Sequence, residues 1–469
     1  MKTKAEIMYT QMNPWKLFFV AALPGMVSMF AMSIYSIIEG IFIGHKLGES
    51  AFAAINIAMP LVMINFSLAD LIGVGASAPI SIALGQQDKR RADNFFTCSV
   101  IMIFIASVFM GCVMFFAASP LCHMMGANDE LLVTSVRYLR TYALCSPLAT
   151  IFFAMDNYLR ISGYIKTSMG INIACNVLTV ILLSVFLIIF NMGVVGSAIA
   201  TCISMCVCSC VAMIPFVQGR TLLKFTNPEF HIAMIKEIAA CGSPVFLSNI
   251  AGRVTSIAMN ISLMTLGVKV LGQGGGTTAV AVYAILMYAS DFCWPMLYGI
   301  SDSLSPAIGY NWGAMDYDRV KKIAKTAYAG TALVGLVSTS VLFFFPDVIA
   351  SLFADTKDAR LLQISSGAIR LFCFAYLFRW ITVTTQSFLT AIEKPALATI
   401  MSVSVAFVFP MMMLLVLWPL KLDGIWLNFV GVNALGTMLG VGLLIIVARE
   451  IKRKKQDEKM DKNQVKADN

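Results

Sequence analysis

Charge is scarce in this chain. Only 13% of its 469 residues are Asp, Glu, Lys or Arg, against 59% hydrophobic residues, and mean hydropathy is +0.81. A soluble chain of this length cannot hide that much apolar surface, so a water-soluble globular domain is excluded. Histidine is scarcer still: His45, His123 and His231 are scattered at segment ends. There is no H-E-x-x-H pair, no G-x-x-x-x-G-K-S/T loop and no visible nucleophile–base pair, so an enzyme is not expected. The twelve cysteines all lie in or beside apolar segments, and the cluster Cys202, Cys206, Cys208 and Cys210 lacks the polar setting of a metal site. It reads as small apolar packing, and neither a metal nor an organic cofactor is expected.

What the chain has instead is long apolar runs. A bilayer core about 30 Å thick needs roughly 20 helical residues per crossing. Twelve segments qualify, near 15–43, 51–84, 93–119, 131–158, 164–190, 193–217, 234–266, 277–311, 320–345, 361–390, 395–419 and 424–448. With the N-terminus placed inside the cell, 24 of the 34 Lys and Arg fall on the inner side, among them Lys89, Arg90, Arg91, Lys224, Arg319, Lys394 and eight from Arg449 to Lys466. Lys46, Lys269, Lys357, Arg360 and Lys421 are the five left outside. The positive-inside rule then makes both termini cytoplasmic, in a multi-pass membrane protein. The formal charge of +9 reflects this topology and anionic headgroups, with no call for nucleic acid. The first apolar run is too long for a cleaved signal and reads as a retained anchor. The tail "REIKRKKQDEKMDKNQVKADN" reads as a solvated end without fixed structure.

The chain also repeats itself. A shift of 228 residues carries Gly85, Asp88 and Arg91 onto Gly313, Asp316 and Arg319, Lys166 onto Lys394, and Gly196 onto Gly424. Each half holds six helices, and an even number keeps both copies the same way up, which makes the repeats parallel. The expected fold is an all-α integral membrane protein: twelve transmembrane helices in two six-helix bundles, residues 1–217 and 238–448, joined by a basic cytoplasmic linker at 218–237 and followed by the tail at 449–469. The repeated Gly-x-x-Asp-x-x-Arg element reads as a helix end and a charged cytoplasmic turn. Two bundles facing a central cavity form a machine that rocks between inward and outward openings.

The stretches "LIGVGASAPISIALGQQDKRRADN", "YLRISGYIKTSMG", "GVVGSAIATCIS" and "SPAIGYNWGAMDYDRVKKIAKTA" resemble the multidrug and toxic compound extrusion (MATE) family, particularly its bacterial MepA-like branch, in order and spacing over residues 14–448. The resemblance implies two lobes around a V-shaped cavity and export of amphipathic, often cationic compounds in exchange for protons or sodium. It also implies an acid late in the first helix, which here is Glu39 ahead of "GIFIG". The Asn and Asp usual in the family's fifth helix fall on Thr179 and Leu183, so that acid is missing; Asn172 and Asn176 share a helical face with Thr179 and offer neutral oxygens. The sixth-helix Thr is kept as Thr201.

An ionisable side chain inside a span is costly unless it faces protein or water. Glu39 therefore reads either as the ion-coupling carboxyl, with Asn172, Asn176, Thr179 and Thr201 as its polar setting, or as a side chain reaching the outer interface beside His45 and Lys46. With one acid a sodium site is poorly ligated, so protons are preferred. Asp70 reads either as a cargo contact or as a buried polar contact, and the group Met287, Tyr288 and Asp291 either as a cargo contact, through charge, ring faces and a thioether, or as plain packing. Asp156 and Arg160, four apart, read as a helical ion pair, and Arg253, Arg370 and Arg379 as partners for Asp291 and Asp302.

The expected function is secondary-active multidrug export by a monomer, with small amphipathic molecules and the bilayer as partners and H+, less favoured Na+, as the coupling ion. The alternative is a flippase for lipids or lipid-linked precursors, which asks for a cavity richer in basic residues than these spans provide.

Overall fold

The computed structural model describes residues 4–353 and 359–467. Lys2, one of the 24 counted on the inner side, and Lys357, assigned to the outer side, lie outside that range. Helix α1 (Lys4–Gln11) is followed by the first bundle: α2 (Pro14–Gly40), α3 (Ala53–Gly85), α4 (Lys89–Phe116), the short α5 (Ala118–Met124), α6 (Asp129–Ile161), α7 (Ile165–Ile189) and α8 (Gly193–Val217). The second bundle comprises α9 (Ile232–Leu271), α10 (Gly275–Gly313), α11 (Tyr317–Phe344), the short α12 (Pro346–Phe353), α13 (Ala359–Ala391), α14 (Pro395–Val416) and α15 (Lys421–Ala467). Helices are forced here because every backbone N–H and C=O in hydrocarbon must be paired within its own segment.

Eleven of these helices are long and apolar enough to cross a membrane. The twelfth crossing is α6, whose uncharged stretch is cut short by Arg140 and Asp156. Helix runs unbroken from Leu23 to Gly85, 63 residues, or about 95 Å as a rod. Yet Gly25 abuts Ser303 and Gly85 abuts Tyr310, only two turns apart on α10, so the segment doubles back between α2 and α3.

The repeat is visible in the turns. Gln87 (φ 63°) ends α3 and Met315 (φ 58°) ends α10, one repeat apart. In each case the next residue caps the following helix: Asp88 Oδ1 accepts from Arg91 N and Asp316 Oδ1 from Arg319 N, both at 3.0 Å.

Packing gives the molecule its shape. Beside these turns one apolar core runs through both bundles, taking in Tyr9, Phe96, Tyr158, Ile238, Leu304 and Leu389. Away from them the cores separate. Ile55, Met114 and Tyr142 belong to a cluster of the first bundle, while Leu263, Phe372 and Trp426 belong to a cluster of the second. The bundles are therefore joined at one end and parted at the other. The junction depends on backbone approach: a Cβ on Gly85 would lie 2.0 Å from the Tyr310 carbonyl oxygen, and one on Gly242 only 1.8 Å from that of Leu71. Only glycine allows such proximity.

The tail departs from expectation. Helix α15 continues through Ala467, and its basic end is pinned by Lys455 Nζ to Asp318 Oδ1 at 2.6 Å and by Lys394 Nζ to Glu450 Oε1 at 2.7 Å. Lys- and Glu-rich sequence is a good helix former, and a preceding apolar span supplies the nucleus that an isolated tail would lack.

Candidate functional site

Three groups of the sequence-expected residues separate in space. The first surrounds Glu39. Glu39 of α2 is half-buried, and Thr201 Oγ1 of α8 donates to its Oε1 at 3.4 Å. The hydroxyls of Tyr35, Tyr138 and Tyr142 stand within electrostatic reach. Among the described residues no Lys or Arg forms an ion pair with Glu39. A carboxyl group ringed by hydroxyls with no fixed cation is neutralised by a proton or by an arriving cation. Tyr138 and Tyr142 were not singled out in the sequence; their spacing of four on α6, which places both on one face, was the available signal.

Thr179 is buried with its hydroxyl turned back to the Cys175 carbonyl at 2.8 Å, and Asn176 is half-buried one turn earlier. Asn172 belongs to a different network: its Nδ2 donates to Asp156 Oδ1 at 2.6 Å. Seven residues along α7 put Asn172 about 10 Å from Thr179 in axial rise, so a shared face does not make a shared site.

The second group lies between the bundles. Arg160 Nη2 pairs with Asp156 on its own helix, and Nη1 reaches Asp302 Oδ2 of α10 at 2.7 Å; Nε donates to Ser168 Oγ at 3.3 Å. Ser168 in turn donates to Asp156. The expected Asp156–Arg160 pair thus extends across to the second bundle, and Asp302 finds its arginine there rather than at Arg253, Arg370 or Arg379. Arg253 and Arg370 are exposed. A partner 142 residues away leaves no mark in local spacing. Half-buried Asp70, one of the cargo-contact candidates, is within electrostatic reach of Asp302 and Tyr298.

Beside this pair is a small solvent-open cavity of about 50 Å³, lined by Ser77, Arg160, Tyr298, Asp302, Gln386 and Thr390 among others. Its walls come from α3, α6, α9, α10 and α13, so both bundles contribute. Below it the bundles are clamped. Arg319 donates to the carbonyls of Tyr9 and Met12 at 2.7 and 2.6 Å, Asn311 donates to Tyr9 O at 3.0 Å, and the Tyr9 hydroxyl donates to the carbonyl of Arg160. Arg91, the repeat counterpart of Arg319, pairs with Glu237 at 2.8 Å. In the turn after α13, burial first and then the Glu237 carboxyl push Glu393 up to about 7.

The third group is on the parted side of the second bundle. Met287 packs against that bundle's core, Tyr288 stacks on Phe353 with centroids 5.4 Å apart, and Asp291 is exposed with Arg379 in electrostatic reach. Asp70 is not part of this group.

Comparison with known proteins agrees with this arrangement. The MatE family model matches twice, over residues 24–186 and 253–416, offset by close to the length of the internal repeat. The curated relatives include the multidrug export protein MepA of Staphylococcus saprophyticus, 26% identical over 386 residues, covering 81% of this chain and 82% of the relative. MepA of Staphylococcus aureus is 24% identical over 407 residues, covering 85% and 86%. Similar solved structures include a MATE protein in complex with MaD3S, with TM-score 0.90, 22% identity and coverage of 97% of this chain and 100% of the other. An outward-facing multidrug resistance MATE family transporter superimposes with TM-score 0.87 at 21% identity, covering 97% and 100%.

Proposed function

The chain belongs to the MatE family, and on that premise we propose that it is a secondary-active multidrug exporter, extruding amphipathic and often cationic compounds by exchange with protons in preference to sodium. The relatives' names, multidrug export proteins, support the cargo class. The observation that carries the coupling is the single carboxyl of Glu39, unpaired with any base among the described residues and enclosed by Thr201, Tyr35 and Tyr138 in the parted half of the first bundle. One acid and a set of hydroxyls bind a proton readily, whereas a hard cation asks for several oxygens, usually anionic ones. Of the polar residues on α7, Asn176 and Thr179 complete the coupling pocket, and Asn172 serves the Asp156 network.

In this reading both termini and the basic turns are cytoplasmic, in the cell membrane of a bacterium, and the chain works as a monomer within the bilayer. On this reading the joined ends of the lobes close the cytoplasmic side and the parted ends open outward. The two lobes rock about the joined core, and Glu39 takes its proton from the outer side as cargo leaves. A lipid flippase has less support, because the inter-lobe cavity sets one arginine beside Asp302 with no excess of positive charge.

The test is dye efflux in everted vesicles under an imposed proton or sodium gradient. Glu39→Gln is expected to abolish proton-driven efflux, while wild type responds to protons and not to sodium. Undiminished proton-driven transport by Glu39→Gln rejects the assignment.

A further inference from the structure

We propose that Cys145, with Cys202 and Cys206, forms a dithiol site on the lipid side of α6 and α8 that takes a lipid-soluble trivalent organoarsenical, which ties the two helices together. The site stands apart from the export reading; its effect on transport rests on the proposed coupling at Glu39.

The sequence places Cys202, Cys206, Cys208 and Cys210 along α8 alone. Folding brings further sulfurs to them. From α6, the Cys145 thiol comes into side-chain contact with those of Cys202 and Cys206, and Cys206 Sγ also reaches the Cys145 carbonyl oxygen at 4.0 Å. From α7, Cys175 meets Cys208. All of these thiols are free, but the two contacts differ in access. Cys175 and Cys208 are both buried, whereas Cys145 and Cys206 are half-buried. Beside the half-buried pair stand the exposed apolar side chains of Leu144, Leu148, Ile203 and Val207.

These surroundings select the ligand. Sulfur donors favour soft acceptors. The way in crosses the apolar outer face of two spans, so a charged or hydrated species is excluded. Among the described residues no three His, Cys, Asp or Glu side chains are set to hold a metal ion. A metal would also displace thiol protons into surroundings that cannot solvate them. A neutral arsenical carrying one organic group and one oxygen avoids both costs. Two S–H bonds and the arsenic–oxygen double bond break, two arsenic–sulfur bonds form, and the oxygen leaves with both protons as water. Arsenic stays trivalent, so no oxidant or reductant takes part. Cys145 supplies one sulfur and a neighbour on α8 the other, while the organic group stays among the lipid-facing side chains.

Position gives the bridge its consequence. Cys202 follows Thr201, whose hydroxyl donates to Glu39, and lies within electrostatic reach of Tyr138 and Tyr142 on α6. A bridge between α6 and α8 therefore holds two walls of the Glu39 pocket at one spacing.

The experiment treats the full chain in lipid nanodiscs with phenylarsine oxide and reads intact mass and peptide maps. Wild type is expected to gain the mass of the probe less one water, mapped to α6 and α8 and stripped by a small dithiol. Cys145→Ser is expected to lose that adduct, as is the double variant Cys202→Ala with Cys206→Ala; each of those single variants, and Cys175→Ser, should keep it. A bridged adduct that survives Cys145→Ser or maps to Cys175 and Cys208, or a wild type that gains only the whole mass of the probe through single sulfurs, overturns the proposal. Should Cys145→Ser fail to fold, the double variant decides. In everted vesicles the probe is expected to halt proton-driven dye efflux by wild type, reversibly with dithiol, and to leave efflux by Cys145→Ser insensitive. Continued efflux by bridged wild type overturns the tether. Normal bridging alongside undiminished efflux by Glu39→Gln rejects the coupling reading and leaves this site standing.

Discussion

Gly85 and Gly313 occupy equivalent places in the repeat, and each is pressed into the backbone of the opposite lobe. A Cβ on Gly85 would meet the Tyr310 carbonyl oxygen at 2.0 Å, and one on Gly313 would meet that of Ile82 at 2.1 Å; Ile82 and Tyr310 are themselves repeat partners. The seam between the lobes thus carries the same contact twice, exchanged about the axis that relates them. Carbonyl oxygens of well-formed helices cannot step aside as a flexible side chain can.

Alanine at either glycine is expected to weaken the closed seam by about 1–3 kcal/mol through overpacking. Thermal unfolding in detergent and hydrogen exchange of residues 81–92 would report it. Gly252→Ala, where an added Cβ meets nothing within 4 Å, is the matched control and should leave both unchanged.

The two repeat arginines are expected to differ in weight. Arg91→Ala removes a partly exposed ion pair with Glu237, a loss of about 0–1 kcal/mol. Arg319→Ala strips donors from the carbonyls of Tyr9 and Met12, beside a tyrosine only 1% exposed, and is expected to cost about 1–3 kcal/mol. Faster exchange in residues 4–12 for Arg319→Ala alone would bear this out; equal effects would refute it.

Glu393 predicts a pH dependence. Its carboxyl is pushed up to about 7 by burial and by Glu237, so between about 4.5 and 7 the folded state holds a proton that the unfolded state releases. This group therefore makes stability fall as pH rises through that window and level off above it. Glu393→Gln is expected to flatten that part of the curve and to gain stability over wild type at pH 8, as read by melting temperature across pH 5 to 8. An unchanged slope would show that the Glu237–Glu393 contact does not govern it.

The architecture was legible because lipid leaves so few options. Apolar length announced twelve crossings, and even α6, whose uncharged stretch ends at Arg140 and Asp156, was placed by what flanked it. The Gly-x-x-Asp-x-x-Arg turn was readable because its capping is local: Asp88 and Asp316 each act on an amide three residues on. The site was less so. Glu39 stood out as an acid in an apolar run, but Tyr138 and Tyr142 did not, since tyrosines in a span are ordinarily packing. Arg160 was assigned to its own helix because i to i+4 spacing is visible, whereas its bond to Asp302 exists only through the meeting of the two lobes. Asn172 was grouped with Thr179 by helical phase, which fixes a direction and says nothing of depth. The tail was misjudged because composition alone ignores the helix already formed ahead of it.

The position of Tyr9 has a practical consequence for anyone handling this molecule. Its phenol is held by one lobe and its carbonyl by the other, so the segment from Lys4 to Met12 acts as a keeper between them. A purification handle or fluorescent fusion attached there would lever against the keeper and bias the transport cycle, while one attached beyond Ala467 would trail from a helix end and leave the cycle undisturbed.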